Sequence, residues 1–213
     1  MQPGDDSAAM SFSELVFSDL ARMRPHSPPS WFVVVTRLPF DPGLLGTLIV
    51  RAQQCLFRSG HVRMARGLQT LGMVLVSGEF GAGMIIGPGL ALVHPVGVTM
   101  GIGARIGANV TLAGGVVMAA RYYDGEIAAE AGQEFPVIED GAVIGAHAVL
   151  VGGVRIGRNA VVGANSVVLQ DVPENTVVFG VPARRISMRA QSATSSPADQ
   201  VRSANVSGAT EGA

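Results

Sequence analysis

The chain of 213 residues contains no lysine, because all fifteen of its basic residues are arginine. Lysine-dependent chemistry is therefore excluded. Charged residues make up only 15% of the chain, and the formal net charge is −1. A charge balance this close to zero gives no electrostatic reason to expect binding to nucleic acid or to acidic lipid.

Cysteine and long apolar runs are also scarce. Cys55 is the single cysteine, which excludes an internal disulfide and fits a reducing compartment. Pro39, Pro42 and Arg51 interrupt the densest apolar stretch, which stays short of the roughly 18 residues needed to cross a bilayer. The first residues, MQPGDD, lack the basic and apolar regions of a secretory signal. We therefore predict a cytoplasmic protein.

Several chemical motifs are missing as well. No spacing of His, Cys, Asp and Glu indicates a metal site, and the chain has neither a GxSxG motif nor a phosphate-binding loop. Apolar residues, in contrast, reach 48%, and the 28 glycines are about double the usual share. Such a chain must bury much of its surface. Its length predicts one core domain with an appendage, or else two small domains.

The N-terminal third predicts a flexible stretch at residues 1–10 and a helical segment at 11–78. Apolar residues at three- and four-residue steps predict a helix through SFSELVFSDLARM, where Ser11 and Glu14 fit a capping box. Proline and glycine punctuation predicts further helices at 42–60 and 61–76. Before them, WFVVVTRLPF is apolar and β-branched but too short to classify.

A six-residue repeat runs through residues 86–172 and organises the rest of the chain. Aliphatic residues share one phase of it: Ile86, Leu92, Met100, Ile106, Leu112, Met118, Ile138, Ile144, Leu150, Ile156, Val162 and Val168. A period of six does not match the 3.6 residues of a helical turn, and the glycine and β-branched residues disfavour a helix. Short strands that turn every six residues form a triangular coil of about eighteen residues. We therefore predict a mainly β fold, a hexapeptide β-helix of about four coils at residues 79–187.

Two steps break the repeat. From Leu92 to Met100 the step is eight residues, so one corner carries two extra residues, and His94 lies in it. From Met118 to Ile138 the step is twenty, which predicts an extruded loop at 119–135. Insertions of this kind lie on one face of a solenoid and often form its site. The tail at 188–213 is rich in Ser, Ala and Thr and is expected to be disordered.

The repeat resembles that of a known family. The run IGAHAVLVGGVRIGRNAVVGANSVVLQDVPENTVVFGVPARRI is similar to the hexapeptide acyltransferases, and GLALVHPVGVTMGIGARIGANVTL to the serine acetyltransferases among them. The resemblance covers about 43–186. It implies a left-handed parallel β-helix with a short N-terminal α-helical segment, assembled as a homotrimer or a dimer of trimers. It also implies acetyl-CoA as co-substrate, no metal, and a role in cysteine biosynthesis.

The resemblance assigns catalytic roles to two residues. His94 matches the general base that takes the proton of the acceptor hydroxyl as the hydroxyl attacks the thioester of acetyl-CoA. An imidazole can do this near neutral pH without being consumed. Glu79, fifteen residues upstream, matches the carboxylate that orients the imidazole, although the family more often has Asp there.

The resemblance also assigns a binding site for CoA in a groove between neighbouring coils. Small residues let the thin pantetheine arm approach the backbone, and basic residues after VPA can meet the nucleotide phosphates. The positions are Gly145, Ala146, Gly163, Ala164, Arg184 and Arg185. His147 lies beside this groove and could touch the site or serve only as a corner residue.

The acceptor site departs from the family. Val93, Glu134 and Phe135 stand where the family has an Asp, an Arg and a second His that bind serine. Glu134 would repel a carboxylate rather than bind it. Three interpretations stay open: acetyl transfer to L-serine or a related small acceptor, acetyl transfer to a sugar or a secondary-metabolite alcohol or amine, and a non-catalytic scaffold. Maltose-type acetyltransferases are a weaker match, because their histidine falls where this chain has Ala119, Ala120 and Arg121.

Overall fold

The computed structural model describes residues 10–120, 122–123, 126–127 and 135–188. The expected flexible N-terminus and disordered tail lie almost wholly outside these residues and stay predictions. Four helices precede the strands: α1 (Phe12–Met23), α2 (Trp31–Arg37), α3 (Pro42–Arg58) and α4 (Val62–Val76). A short 3-10 turn, Leu38–Phe40, joins α2 to α3. Within the described residues no single helix is long and apolar enough to span a membrane; only the sharply bent pair Trp31–Phe40 with Pro42–Arg58 matches a span in length and composition.

Local sequence signals explain where the helices begin. The predicted capping box is present, because the Ser11 side chain accepts from the Glu14 N–H and the Glu14 carboxylate accepts from the Ser11 N–H. Asp41 caps α3 with Pro42 in its first turn. The segment that the sequence left unclassified is helical as well, since Ser30 accepts from the Val33 N–H and starts α2. The predicted helices at 11–23, 42–60 and 61–76 are confirmed.

Seventeen strands follow among the described residues, and most are two or three residues long. They are β1 (Glu79–Phe80), β2 (Ile85–Ile86), β3 (Ala91–Val93), β4 (Thr99–Met100), β5 (Arg105–Ile106), β6 (Thr111–Ala113), β7 (Val117–Ala119), β8 (Tyr122–Tyr123), β9 (Glu126–Ile127), β10 (Val137–Ile138), β11 (Val143–Ile144), β12 (Val149–Val151), β13 (Arg155–Ile156), β14 (Val161–Val162), β15 (Val167–Val168), β16 (Thr176–Phe179) and β17 (Arg184–Met188).

The strands form three parallel sheets that share one interior. The first sheet has the order β1-β4-β7-β12-β15, the second β2-β5-β10-β13, and the third β3-β6-β11-β14-β16-β17. Consecutive strands pass from the first sheet to the second, then to the third and back to the first. The chain therefore winds through four full coils and starts a fifth, and the predicted parallel β-helix is confirmed. Among the described strands of these three sheets, only β17 runs antiparallel, against β16, and it closes the end of the third sheet.

The predicted aliphatic phase fills the interior of the coil. Its twelve residues are each at most 2% exposed, and Phe80 extends the row into the first coil. Burying one such side chain stabilises the fold by about 1.5–3 kcal/mol. A second inward row lies two residues before each of them and consists mainly of alanine and valine, such as Ala104, Val110 and Ala142. These smaller side chains fill the space beside the corners.

A buried ion pair fixes the helical segment to the first coil. Arg51 of α3 is fully buried and donates two hydrogen bonds to the Asp19 carboxylate of α1, at 2.8 and 2.9 Å. Arg51 also donates to the carbonyl oxygens of Ile86 and Gly87. Burial raises the pKa of the Asp19 carboxyl above its ordinary value, and Arg51 partly offsets that shift. The pair thus joins two helices to the coil that begins with Glu79.

The twenty-residue step is a long excursion between β7 and β10, as predicted. It begins slightly later than residue 119, because Ala119 still pairs with Val151 of β12. A two-stranded hairpin of β8 and β9 lies within it. Glu134 falls outside the described residues.

Candidate active site

The corners of the coil stack into three edges, and one of them carries most of the predicted site. We call the corners between the third and first sheets the histidine edge, with residues 93–98, 113–116, 145–148, 163–166 and 180–183. The corners between the second and third sheets form the asparagine edge, with residues 87–90, 107–110, 139–142, 157–160 and 173–175. The loop 119–135 leaves the coil at the remaining edge, between the first and second sheets.

His94 lies in the expanded corner of the histidine edge, directly after β3. Its backbone has φ of 53°, in the left-handed region, and its side chain is exposed. The next coil approaches closely, since a side chain on Gly114 would collide with the His94 carbonyl oxygen. The predicted placement of His94 at a distinct corner of the coil is therefore confirmed, while its chemical role stays a prediction.

Helix α3 packs against this corner. A Cβ atom on Gly46 would lie 3.3 Å from Leu92 Cδ1 and 3.6 Å from Pro95 Cβ, so the helix packs directly on the corner. Pro95 is buried while its neighbour His94 faces solvent. The glycine lets the helix approach, and the helix holds the corner so that the imidazole points outward. Sequence reasoning missed this contact, although a Gly43–Gly46 pair on one helix face was a visible signal.

Glu79 lies in β1, at the level where the His94 corner ends. Its N–H donates to the Val98 carbonyl at 2.8 Å, and it pairs with Thr99 of the next coil. Its Oε1 accepts a hydrogen bond from Gln69 Nε2 of α4 at 3.2 Å. Among the described residues no hydrogen bond joins Glu79 to His94, so the predicted pairing of the two stays a prediction. Gln69 is a neighbour of the site that no sequence pattern indicated.

The four small residues predicted to bind CoA lie together on the histidine edge. Gly145 and Ala146 follow β11, and Gly163 and Ala164 follow β14 in the next coil. The coils are in close contact here, because a Cβ atom on Gly145 would lie 2.6 Å from the Ala164 nitrogen. The same edge therefore carries His94 and the predicted donor groove.

Two turn amides on this edge are open. Within the described part of the chain, the N–H groups of Ala146 and Ala164 have no hydrogen-bond acceptor. Ala164 is exposed and Ala146 half-buried, so both amides can meet a ligand or solvent. Open amides beside small side chains suit an extended ligand that carries carbonyl oxygens.

The two predicted arginines lie at the far end of the coil. Arg184 and Arg185 begin β17 and pair with Phe179 and Val178. Both side chains are exposed, and Arg184 donates to the Ala183 carbonyl at 3.1 Å. The Phe179 ring covers Gly163, which puts these arginines one coil beyond the open amides.

Within one chain, the predicted acceptor residues do not lie close together. Val93 ends β3 beside His94 and is 43% exposed. Phe135 lies at the loop edge instead, where its ring covers Gly101 and Gly103. The first sheet separates these two edges, so a single chain does not bring Phe135 to His94. Within the described residues no group of three His, Cys, Asp or Glu side chains is arranged to hold a metal ion.

Comparison with known proteins gives matches for part of the coil and for most of the chain. A family model described as "Bacterial transferase hexapeptide (six repeats)" matches residues 135–170. The serine acetyltransferase of Bacillus licheniformis is 35% identical over 134 residues, which are 63% of this chain and 59% of that protein. The serine acetyltransferase of Helicobacter pylori is 31% identical over 146 residues, which are 68% of this chain and 82% of that protein.

Solved structures agree with these matches. The Neisseria gonorrhoeae serine acetyltransferase in complex with serine is 30% identical, with a TM-score of 0.71, and the match covers 83% of this chain and 69% of that one. The chain belongs to the serine acetyltransferase family. It spans less than two thirds of the length of several curated relatives, for example 61% of the Mycobacterium tuberculosis protein and 57% of the Synechococcus elongatus protein.

Proposed function

We propose that the chain is an acetyl-CoA-dependent O-acetyltransferase that acetylates the hydroxyl of L-serine or a related small acceptor. The observation that carries this proposal is the histidine edge, along which one exposed imidazole and two open backbone amides lie in a member of the serine acetyltransferase family. Solved relatives have been captured with serine and with cysteine. Serine is accordingly the first acceptor to test.

The mechanism is direct transfer within a complex of donor and acceptor. The His94 imidazole takes the proton of the acceptor hydroxyl while the hydroxyl oxygen attacks the thioester carbonyl carbon. A tetrahedral oxyanion forms, and backbone N–H groups stabilise it. The carbon–sulfur bond then breaks, and the imidazolium returns the proton to the CoA sulfur. The products are an acetyl ester and free CoA thiol.

Glu79 acts as the positioning residue in this proposal. Its carboxylate is half-buried and hydrogen-bonded to Gln69, which holds it at the base of the His94 corner. A shift of its second oxygen toward the imidazole would fix the ring and stabilise the imidazolium that forms during transfer. Arg184 and Arg185 would meet the phosphates of the nucleotide.

The assembly that suits this site is a homotrimer. His94 and Phe135 lie on different edges of one chain, so a neighbouring copy is needed to bring its loop against the histidine edge. Exposed apolar side chains on the coil, such as Val96 at 62% and Ile102 at 57%, would be covered by such contacts. A dimer of trimers through the helical segment, and the cytoplasmic location, stay predictions.

A second candidate keeps the chemistry and changes the acceptor. Val93 presents an exposed aliphatic surface beside His94, which offers no charge to bind a zwitterion and suits an acceptor without a carboxylate better. A sugar or secondary-metabolite alcohol or amine is therefore the alternative acceptor.

Release of CoA thiol in the presence of acetyl-CoA and a panel of acceptors tests both candidates. The panel contains L-serine, its methyl ester, N-acetylserine, simple sugars and apolar alcohols, and mass spectrometry identifies the acetylated product. Preference for L-serine supports the first candidate, and preference for an uncharged acceptor supports the second. If no acceptor is acetylated and calorimetry detects no binding of CoA, the chain is a non-catalytic scaffold and the proposal is wrong.

A further inference from the structure

His147 is a second imidazole on the histidine edge. It lies two coils beyond His94, which at the usual strand spacing separates their backbones by roughly 10 Å. The backbone N–H of His147 donates to the Gly114 carbonyl oxygen at 2.9 Å, and its side chain is exposed. The residue is therefore anchored by its backbone, and its ring is left free to meet a ligand.

The ring leans back from the third coil over the second, toward His94. A side chain on Gly115 would collide with His147 Nδ1 and Cε1, so the ring occupies the room that this glycine leaves. Gly115 itself has φ of 71°, a conformation that suits glycine. The imidazole thus lies over the backbone between the His94 corner and the open amide of Ala146.

The coil itself does not need a histidine at this corner. His147 has φ of 57°, and the equivalent corner positions with similar φ are held by Asn109, Asn159 and Asn165. Asparagine tolerates the left-handed region well, so it would satisfy the backbone equally. Within the described part of the chain, no hydrogen bond joins the exposed His147 ring to another residue. Neither turn geometry nor a local hydrogen bond explains the imidazole.

We propose that His147 binds the pantetheine arm of the acyl donor through a hydrogen bond to one of its amides. The inference rests on the proposed function, because it deepens the description of the same donor groove. A neutral imidazole has one donor and one acceptor nitrogen, which match the N–H and C=O of an amide. The open N–H groups of Ala146 and Ala164 would bind the remaining carbonyl oxygens. Together these contacts hold the thioester at the level of His94.

The test is H147G, which keeps the left-handed backbone and leaves no side-chain donor or acceptor. Steady-state kinetics are measured with acetyl-CoA and with S-acetylpantetheine, which lacks the nucleotide. Loss of one hydrogen bond is expected to raise the donor KM by about 3- to 10-fold with both donors. The kcat and the acceptor KM stay within about 2-fold of the wild-type values, because His94 is untouched. A rise seen only with acetyl-CoA would place the contact at the nucleotide and overturn the proposal.

A second pair of variants guards against a merely structural effect. G115A pushes the His147 ring aside and is expected to raise the donor KM as H147G does, with no further rise when the two are combined. The matched control is G141A, at φ of 69° on the asparagine edge, which carries the same backbone strain without touching the groove. Equal donor KM values in G115A and G141A would contradict the role of His147. If the wild-type chain neither binds CoA nor transfers acetyl, the proposed function fails. If it does both and the donor KM of H147G is unchanged, only this inference fails.

Discussion

The histidine edge and the asparagine edge are built by the same six-residue rule, yet they treat their turn amides differently. On the asparagine edge the N–H of Ala108 donates to Asp140 Oδ1 at 2.7 Å, and the N–H of Arg158 donates to Glu139 Oε2 at 3.0 Å. The equivalent amides on the histidine edge belong to Ala146 and Ala164, and neither has an acceptor among the described residues. Side chains of neighbouring coils therefore cap two turn amides on the asparagine edge, and they cap neither of the two equivalent amides on the histidine edge.

The asparagine edge also has a hydrogen bond between the corner side chains of neighbouring coils. Asn159 Nδ2 donates to Asn175 Oδ1 at 3.3 Å, and a side chain on Gly89 would collide with the Asn109 amide, so neighbouring coils are in side-chain contact. On the histidine edge the corresponding corners carry His94, Gly115, His147 and Asn165. A regular solenoid thus forms a site where its side chains do not cap the backbone. The comparison predicts that substitutions on one edge change catalysis and that those on the other change stability.

The largest expected effect is that of H94N. Asparagine is well tolerated at φ of 53°, so the corner is expected to keep its shape while the general base is lost. Loss of a general base reduces kcat by about 100-fold or more. Steady-state thiol release measures this change, and calorimetry with CoA checks that the donor still binds.

Thermal unfolding of H94N provides the control for its fold. The expected result is a melting temperature close to that of the wild type together with the loss of turnover. A kcat that falls by less than about fivefold would show that another group takes the proton, and the assignment of His94 would be wrong.

The next largest effect tests whether the turn amides of the two edges differ in function. A164P removes the open N–H from the histidine edge, and the fold accepts proline at this turn position, since Pro88 occupies the equivalent one on the asparagine edge. Loss of one hydrogen bond to the donor is expected to raise the KM for acetyl-CoA by up to about tenfold, equivalent to about 1.4 kcal/mol. Initial-rate kinetics at saturating acceptor measure it.

The matched variant is A108P, at the same turn position on the asparagine edge. It removes the hydrogen bond to Asp140 and is expected to lower the free energy of unfolding by about 1 kcal/mol while leaving the donor KM unchanged. A similar rise of the donor KM in both variants would mean that the edges do not differ in function.

The architecture could be predicted because hydrophobic periodicity reports burial directly. Every residue in the six-residue phase is buried, and the eight-residue step from Leu92 to Met100 does place His94 at an expanded corner. Counting eighteen residues per coil also explains why Ala146 and Ala164 stack. The sequence did not predict α2, because its consecutive valines favour a strand in isolation. In the folded chain the Ser30 cap and the packing of Val34 stabilise a helix instead.

The site could be predicted only in part, because its chemistry depends on contacts between coils. No periodic signal shows that Glu79 accepts from Gln69, or that Phe135 lies on a different edge from His94. The open amides are also invisible in the sequence, since Ala108 and Ala146 follow the same Ile-Gly pair. What distinguishes them is the residue in the neighbouring coil: Asp140 lies over the first, and no acceptor lies over the second.

The smallest expected effect is that of N159A on the asparagine edge. Asn159 has φ of 55°, and alanine is less favourable in the left-handed region. Together with loss of the hydrogen bond to Asn175, the change is expected to lower the free energy of unfolding by about 1 kcal/mol, measured by urea denaturation. N159G keeps the backbone relaxed and removes only the side-chain contact, so it should lose less. Because Asn159 lies on a different edge from His94 and the open amides of Ala146 and Ala164, kcat and both KM values stay at wild-type levels in the two variants. A shift in the donor KM would show that the groove reaches beyond the histidine edge.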